Sequence, residues 1–300
     1  MPLNNNGLMM KKGKTNKRQQ NSFLKFFSVI SRMGKKLPKK NKQMVIAVCC
    51  GILVIGIVIS AVTAPKVANA APKQADEQPT TVAAPVKENI KQIKGIPIVI
   101  QDYYKAACET YACTMLLQGL GYDIDEETFI DKYLLLRLMS WDENGTMYGP
   151  DMNSAYAGDI FSGWGINSPA MAKSMNRFLD TQKDRNRAMS VKGKTLEELC
   201  KLYIDRDIPV MTWVTTYMHE SYVKHTWVVN YVDENAEYKI GDEVSWRQNE
   251  HCMVLIGYTD TEYIFNDSVA GKVVRHNKKL AETRFKEIGS QAVVVKDPFE

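Results

Sequence analysis

The most sustained apolar pattern in the chain is residues 44–63, MVIAVCCGILVIGIVISAVT, which hold no charged side chain. An amphipathic helix shows a polar residue every third or fourth position, and this run shows none. Its length matches the roughly 20 residues needed for a helix to cross a hydrocarbon core of about 30 Å. The pattern predicts a membrane span or the apolar core of an export signal. After it, residues 64–95 are rich in Ala, Pro, Gln, Lys and Thr, with Pro65, Pro72, Pro79 and Pro85 spread along them. Such a stretch buries too little apolar area to offset its ordering entropy and reads as a linker.

From residue 96 short apolar runs alternate with turn-forming residues. Ile96-Pro-Ile-Val-Ile100 reads as a short strand with Pro near its start, where a missing donor matters least. Residues 108–119 read as a helix beginning at Cys108, and Asp125 opens a second helix toward Leu138. Residues 141–167, rich in Gly, Asp, Asn and aromatics, read as one long loop whose Trp141, Tyr148, Tyr156, Phe161 and Trp164 are candidates to line a groove. Ser168-Pro169 marks an N-cap with Pro at the first helical position, and the helix runs to Leu179. Thr195 and Glu198 form a capping box for a helix ending near Arg206. Ile208–Thr215 reads as a buried strand. Cys252–Tyr258, Tyr263–Asp267, Gly271–Arg275 and Gln291–Val295 read as further strands, mostly antiparallel given their short connections. Helices first and a sheet afterwards predict an α+β domain over 96–300.

Charge divides the chain in the same place. The 300 residues sum to +5, but residues 1–66 hold 13 Lys/Arg and no Asp or Glu, leaving 26 basic against 34 acidic residues beyond, a net of −8. Residues 1–43 therefore read as a basic tail. Twelve of its Lys/Arg precede the apolar run, which by the positive-inside rule puts the tail in the cytoplasm and the domain outside. Ala68-Asn-Ala70 fits a small-x-small cleavage pattern, so a secreted form is the other expectation. The acidic domain argues against nucleic acid as a partner, because phosphate binding needs a basic face.

Candidate chemistry narrows quickly. Six cysteines and four histidines are present, and no Cys/His spacing of the zinc type occurs, so neither a metal nor a cofactor is expected. Cys49 and Cys50 fall in the apolar run, and the pairing of Cys113, Cys200 and Cys252 stays open. Cys108 sits where a helix starts, so its sulfur lies over unpaired backbone N–H groups that favour a thiolate. Cys113, Cys200 and Cys252 fall at positions that read as core. A thiol nucleophile needs a base, and His251 begins an apolar strand. Residues 259–262 form a tight turn, and the returning strand ends at Asp267. The hairpin thus brings His251 and Asp267 to one open end, where a carboxylate accepts a bond from one ring nitrogen and leaves the other for sulfur. His219 and His225 have no such partner, and His276 lies in a polar run that reads as solvated.

Cys on a helix start, His on a strand and an acid at the end of the next strand is the chain order of papain-like peptidases. The sequence resembles the bacteriocin-processing (double-glycine leader) peptidase-like family of that superfamily, in its stand-alone extracellular branch. The matching segments are Ile98-Val-Ile-Gln101, Ala107-Cys-Glu-Thr-Tyr-Ala-Cys-Thr-Met-Leu-Leu117, Gly163-Trp-Gly-Ile-Asn-Ser-Pro169, Ile208–Thr215, His251-Cys-Met-Val-Leu-Ile-Gly-Tyr258 and Phe265-Asn-Asp267. The resemblance implies a papain-like fold, with Cys108 as nucleophile, His251 as base, Asp267 as orienting acid and Gln101 as an oxyanion-hole donor. It implies a peptide or cell-wall peptide substrate. A catalytically silent domain that binds such material, and a cell-wall amidase or transpeptidase using the same thiol, are the alternatives. Ala107 and Ser268 stand where the family often has Gly and Pro. One apolar span and no Walker A glycine loop separate the chain from the family's transporter-fused branch.

Overall fold

The computed structural model describes residues 88–299. The basic tail, the apolar run at 44–63 and most of the linker lie outside them. Among the described residues no helix is long and apolar enough to cross a membrane.

The first part of the domain carries β1 (Lys91–Gln92), α1 (Cys108–Gly119), α2 (Glu126–Lys132), β2 (Leu136–Arg137), β3 (Ser140–Trp141), β4 (Met147–Pro150), β5 (Tyr156–Ala157) and α3 (Ser168–Leu179). The second carries β6 (Arg187–Lys192), α4 (Leu196–Leu202), β7 (Val210–Thr215), β8 (Tyr222–Tyr231), β9 (Glu243–Gln248), β10 (Glu250–Tyr258), β11 (Glu262–Asp267), β12 (Lys272–Asn277), α5 (Lys278–Glu287) and β13 (Gln291–Lys296).

The main sheet runs β12-β11-β10-β7-β13-β6, with β1 added to β10, and every pairing in it is antiparallel. All six residues of β7 are buried, as are His251–Gly257 of β10 and Gln291–Val295 of β13. Strands buried on both faces require cover on both faces, which explains why these three read as continuous apolar runs. The helices supply that cover: α1 packs on β10 and β7, α3 on β6 and β13, and α5 on β7, β11 and β12. A second sheet, β3-β4-β8-β9, contains one parallel pair, β4 with β8. Its own smaller core holds Met152, Trp227, Val229 and Val244.

The hairpin expectation holds in register. Tyr258 pairs with Tyr263 across the turn and Val254 with Asn266, with a bulge between Leu255 and Gly257. The capping box is present at Thr195, whose side chain accepts from the Glu198 N–H while Glu198 accepts from the Thr195 N–H. Four expectations need correction. Residues 96–100 form no strand, because Pro97 lacks a donor and the Asn266 amide takes up the Ile96 and Pro97 carbonyls instead. The helix capped by Asp125 stops at Lys132 rather than near Leu138, and β2 follows. Asn167, not Ser168, is the N-cap of α3, one residue earlier than expected. Residues 141–167 hold the short strands β4 and β5 and so are not one loop.

Candidate active site

The start of α1 is built by the segment before it. Gln101 donates its backbone N–H to Ser268 O at 2.9 Å, and its side-chain nitrogen donates to Tyr104 O at 3.0 Å and Lys105 O at 3.1 Å. Ser268 Oγ donates to Gln101 Oε1 at 3.2 Å. Tyr156 OH donates to Ala106 O, and Ala106 N–H donates to Ile160 O. These bonds fix residues 101–107 and deliver Cys108 as the first residue of α1, partly exposed and unbridged. Ala107 is fully buried at the position before it.

His251 and Asp267 meet at the open end of the β10–β11 hairpin. His251 Nε2 lies 2.9 Å from Asp267 Oδ1, and both residues are buried. The same Oδ1 accepts from Val269 N at 2.8 Å and Ala270 N at 3.2 Å. Burial works to raise the Asp267 pKa, but the bond and charge of His251 and the two backbone donors outweigh it and hold the carboxyl below its usual value. An ionised Asp267 only accepts, so Nε2 carries the ring proton and Nδ1 is left as the acceptor.

Cys108, His251 and Gln101 line one cavity of about 220 Å³, together with Lys105, Glu109, Trp164, Trp246 and Glu250. The Cys252 backbone N–H faces the Cys108 sulfur and lowers its pKa, yet burial first, and then the neighbouring carboxyls, Glu109 ahead of Glu250, push the thiol well above its usual value. Cys108 therefore rests as a thiol. Cys113, Cys200 and Cys252 are buried and unbridged, and burial raises all three.

Of the four residues singled out by sequence, all reach this cleft or its wall: Cys108, His251 and Gln101 line it, and Asp267 lies behind His251. Gln101 departs in one respect. It sits in an irregular segment rather than on a strand, with its amide hydrogens directed at main-chain carbonyls. His276 is half-buried on β12 beside the Phe265 ring rather than solvated. The loop aromatics divide: Trp141 and Trp164 line a larger cavity of about 440 Å³, with His225, Trp227 and Glu243, whereas Tyr156 is fully buried. Trp164 belongs to both cavities, so they share a wall.

Two carboxyls were not singled out by sequence. Glu109 and Glu250 each stand one residue from a candidate and line the cavity, Glu109 buried and Glu250 half-buried. Glu109 Oε2 lies 3.3 Å from Cys108 Sγ, and Oε1 accepts from Ile166 N at 3.1 Å. Gly165 makes this approach feasible, because its φ of +105° is left-handed and an added Cβ would overlap Glu109 Oε1. Gly165→Ala is expected to destabilise the domain by about 1–3 kcal/mol in urea unfolding. A change under about 0.5 kcal/mol, the level of an ordinary surface substitution, would mean that Glu109 swings aside freely.

The chain is similar to known proteins along most of the described domain. The model of the Peptidase_C39-like family matches residues 88–293. The uncharacterised protein YvpB of Bacillus subtilis is 23% identical over 261 residues, covering 84% of this chain and 96% of that protein. The crystal structure of a putative C39-like peptidase from Bacillus anthracis superposes with a TM-score of 0.55 at 22% identity, over 69% of this chain and 98% of that chain. That likeness carries the mixed α and β fold.

Proposed function

The chain belongs to the Peptidase_C39-like family, and on that basis we propose that it is a cysteine peptidase using Cys108, His251 and Asp267 to hydrolyse a peptide bond. The observation that carries the reading is the buried His251–Asp267 bond beside an unbridged, partly exposed Cys108 at a helix start, in one cavity.

In this reading His251 Nδ1 takes the Cys108 proton as sulfur attacks the scissile carbonyl carbon. The imidazolium, held by the Asp267 carboxylate, then gives that proton to the leaving amine. Water, activated by the same nitrogen, hydrolyses the thioester and restores the thiol. Charge on the carbonyl oxygen is met by the Cys108 N–H, which as the first residue of α1 has no intrahelical acceptor. Gln101 is the second donor proposed, and it acts by turning one amide hydrogen from the Tyr104 or Lys105 carbonyl to the substrate. The aromatic cavity that shares Trp164 is the proposed subsite for an apolar side chain flanking the cleaved bond. The uncharged run at 44–63 and the basic tail before it support placing the domain outside the cytoplasmic membrane, tethered or released after Ala70.

The test is incubation of the purified full chain with a diverse peptide library, reading cleavage by mass spectrometry. Asp267→Asn keeps the side-chain shape but removes the charge that fixes the ring proton. It is expected to lower kcat/KM on the best peptide by about 10²–10⁴-fold. A library left intact by the wild-type chain counts against hydrolysis. A loss under threefold in Asp267→Asn removes Asp267 from the orienting role.

A further inference from the structure

A nucleophilic sulfur next to a carboxylate is an arrangement that ordinary thiol activation would avoid. Glu109 Oε2 is 3.3 Å from Cys108 Sγ, with Glu109 2% exposed. A second carboxyl closes on the same spot: an ideal Cβ on Gly165 would lie against Glu109 Oε1 and 3.8 Å from Glu250 Oε1. Glu250 Oε1 is buried and has no hydrogen-bond partner. Trp246 stands nearby on β9 and favours the charged form of Glu250, yet its own Nε1 also lacks a bond of ordinary geometry.

Two carboxyls at one cavity wall, Glu109 buried and Glu250 half-buried with one oxygen cut off from solvent, disfavour a second charge, so the pair favours holding a proton. The hydrogen bonds decide where it rests. Glu109 accepts from Ile166 N–H, sits in the first turn of α1 and takes the Cys108 thiol as a donor, so it is the better anion site. Glu250, with one oxygen unbonded, keeps the proton. Burial, followed by the charge of Glu109, pushes Glu250 well up, and Glu109 is raised as well, by burial first.

We propose that Glu109, backed by Glu250, is a proton gate on Cys108: the Glu109 carboxylate holds the sulfur as a thiol, and protonation of Glu109 releases it. The inference deepens the hydrolase reading and rests on Cys108 being its nucleophile. In the closed state the S–H donates to Glu109 Oε2. In the open state one proton from solvent forms an O–H bond on Glu109. The Cys108 S–H bond then breaks, its proton forms an N–H bond at His251 Nδ1, and the neutral Glu109 donates its O–H to the thiolate. No electrons are exchanged. A protonated buried carboxyl acting as a donor is established chemistry for an acid kept neutral by its surroundings.

The groups facing Glu109 from each neighbouring element are consistent with this. From β10 come Glu250, His251 and Cys252, and from β5 comes Tyr156, itself pushed well up by burial and uncharged. Lys105, from the segment before α1, lines the cavity. Asp267 faces only His251 among these groups. Glu109 is the member of this set bonded to the sulfur, so its titration changes the charge nearest to it.

The experiment is the pH dependence of iodoacetamide labelling at Cys108 on the full chain, read by peptide mapping, with peptide hydrolysis measured in parallel. An ordinary thiol labels faster as pH rises, by up to about tenfold per unit. The gate predicts the reverse for the wild-type chain: labelling falls by about tenfold or more between about pH 5 and about pH 8, as Glu109 loses its proton above the usual carboxylate range. Glu109→Gln, a permanently neutral donor, is expected to lose that decline and to label on the order of tenfold faster than wild type near pH 8. A flat or rising wild-type profile overturns the gate, and so does a folded Glu109→Gln chain that keeps the wild-type decline. The wild-type arm decides the matter if the variant does not fold. Labelling that falls with pH without any hydrolysis sinks the peptidase reading and leaves the gate. Hydrolysis with rising labelling sinks the gate alone.

Discussion

Replacing Cys108 with alanine is expected to lower kcat/KM for peptide hydrolysis by about 10⁴-fold or more while leaving thermal unfolding near its native midpoint. The side chain is partly exposed, and its removal opens a cavity wall rather than the core. His251→Ala should cost about as much, and the double variant little more than either single one, since members of one catalytic unit are strongly non-additive. The three other described cysteines cannot take over, because each is buried and none lines the cavity that holds His251. The check is a fluorogenic peptide derived from the library screen. Residual hydrolysis above about one per cent in Cys108→Ala, well beyond the residue left when a triad member is removed, would place the nucleophile elsewhere.

The largest loss of stability is expected from Trp213→Ala. Trp213 lies at the centre of β7 with no exposed surface, and its Nε1 donates to Ile166 O at 2.9 Å. Deleting a buried indole leaves a cavity that its neighbours fill only in part, costing about 3–5 kcal/mol. The abandoned Ile166 carbonyl adds to that. The midpoint of urea unfolding reads the change, and a loss under about 1.5 kcal/mol, the range of a tolerated volume-conserving swap, would mean the site collapses around the gap. The effect should also reach the cleft. Ile166 accepts from Trp213 and donates to Glu109, so one residue links the sheet core to the carboxyl beside sulfur.

What sequence showed depended on how deeply each element is buried. The strands β7, β10, β11 and β13 carry dense apolar runs because the sheet centre is covered on both faces, and all four stood out. Strand β8 did not, because only Trp227 and Val229 of its ten residues are buried, and its Lys224, His225 and Asn230 blur the alternation. Helix α5 buries only Ala281 and Phe285, a stripe too narrow to stand out in a charged segment. The His251–Asp267 pairing was legible because a tight turn fixes hairpin register locally. The carboxyls Glu109 and Glu250 were not. Their meeting depends on Gly165 letting a distant segment close over α1, which no local pattern encodes.

The four described cysteines are all free, and this bears on how the domain meets reductants and oxidants. No cystine among the described residues contributes to stability, so reductants should leave the domain's melting behaviour untouched. Peroxide is then expected to reach position 108 before the other three, since it alone among the described cysteines is not buried.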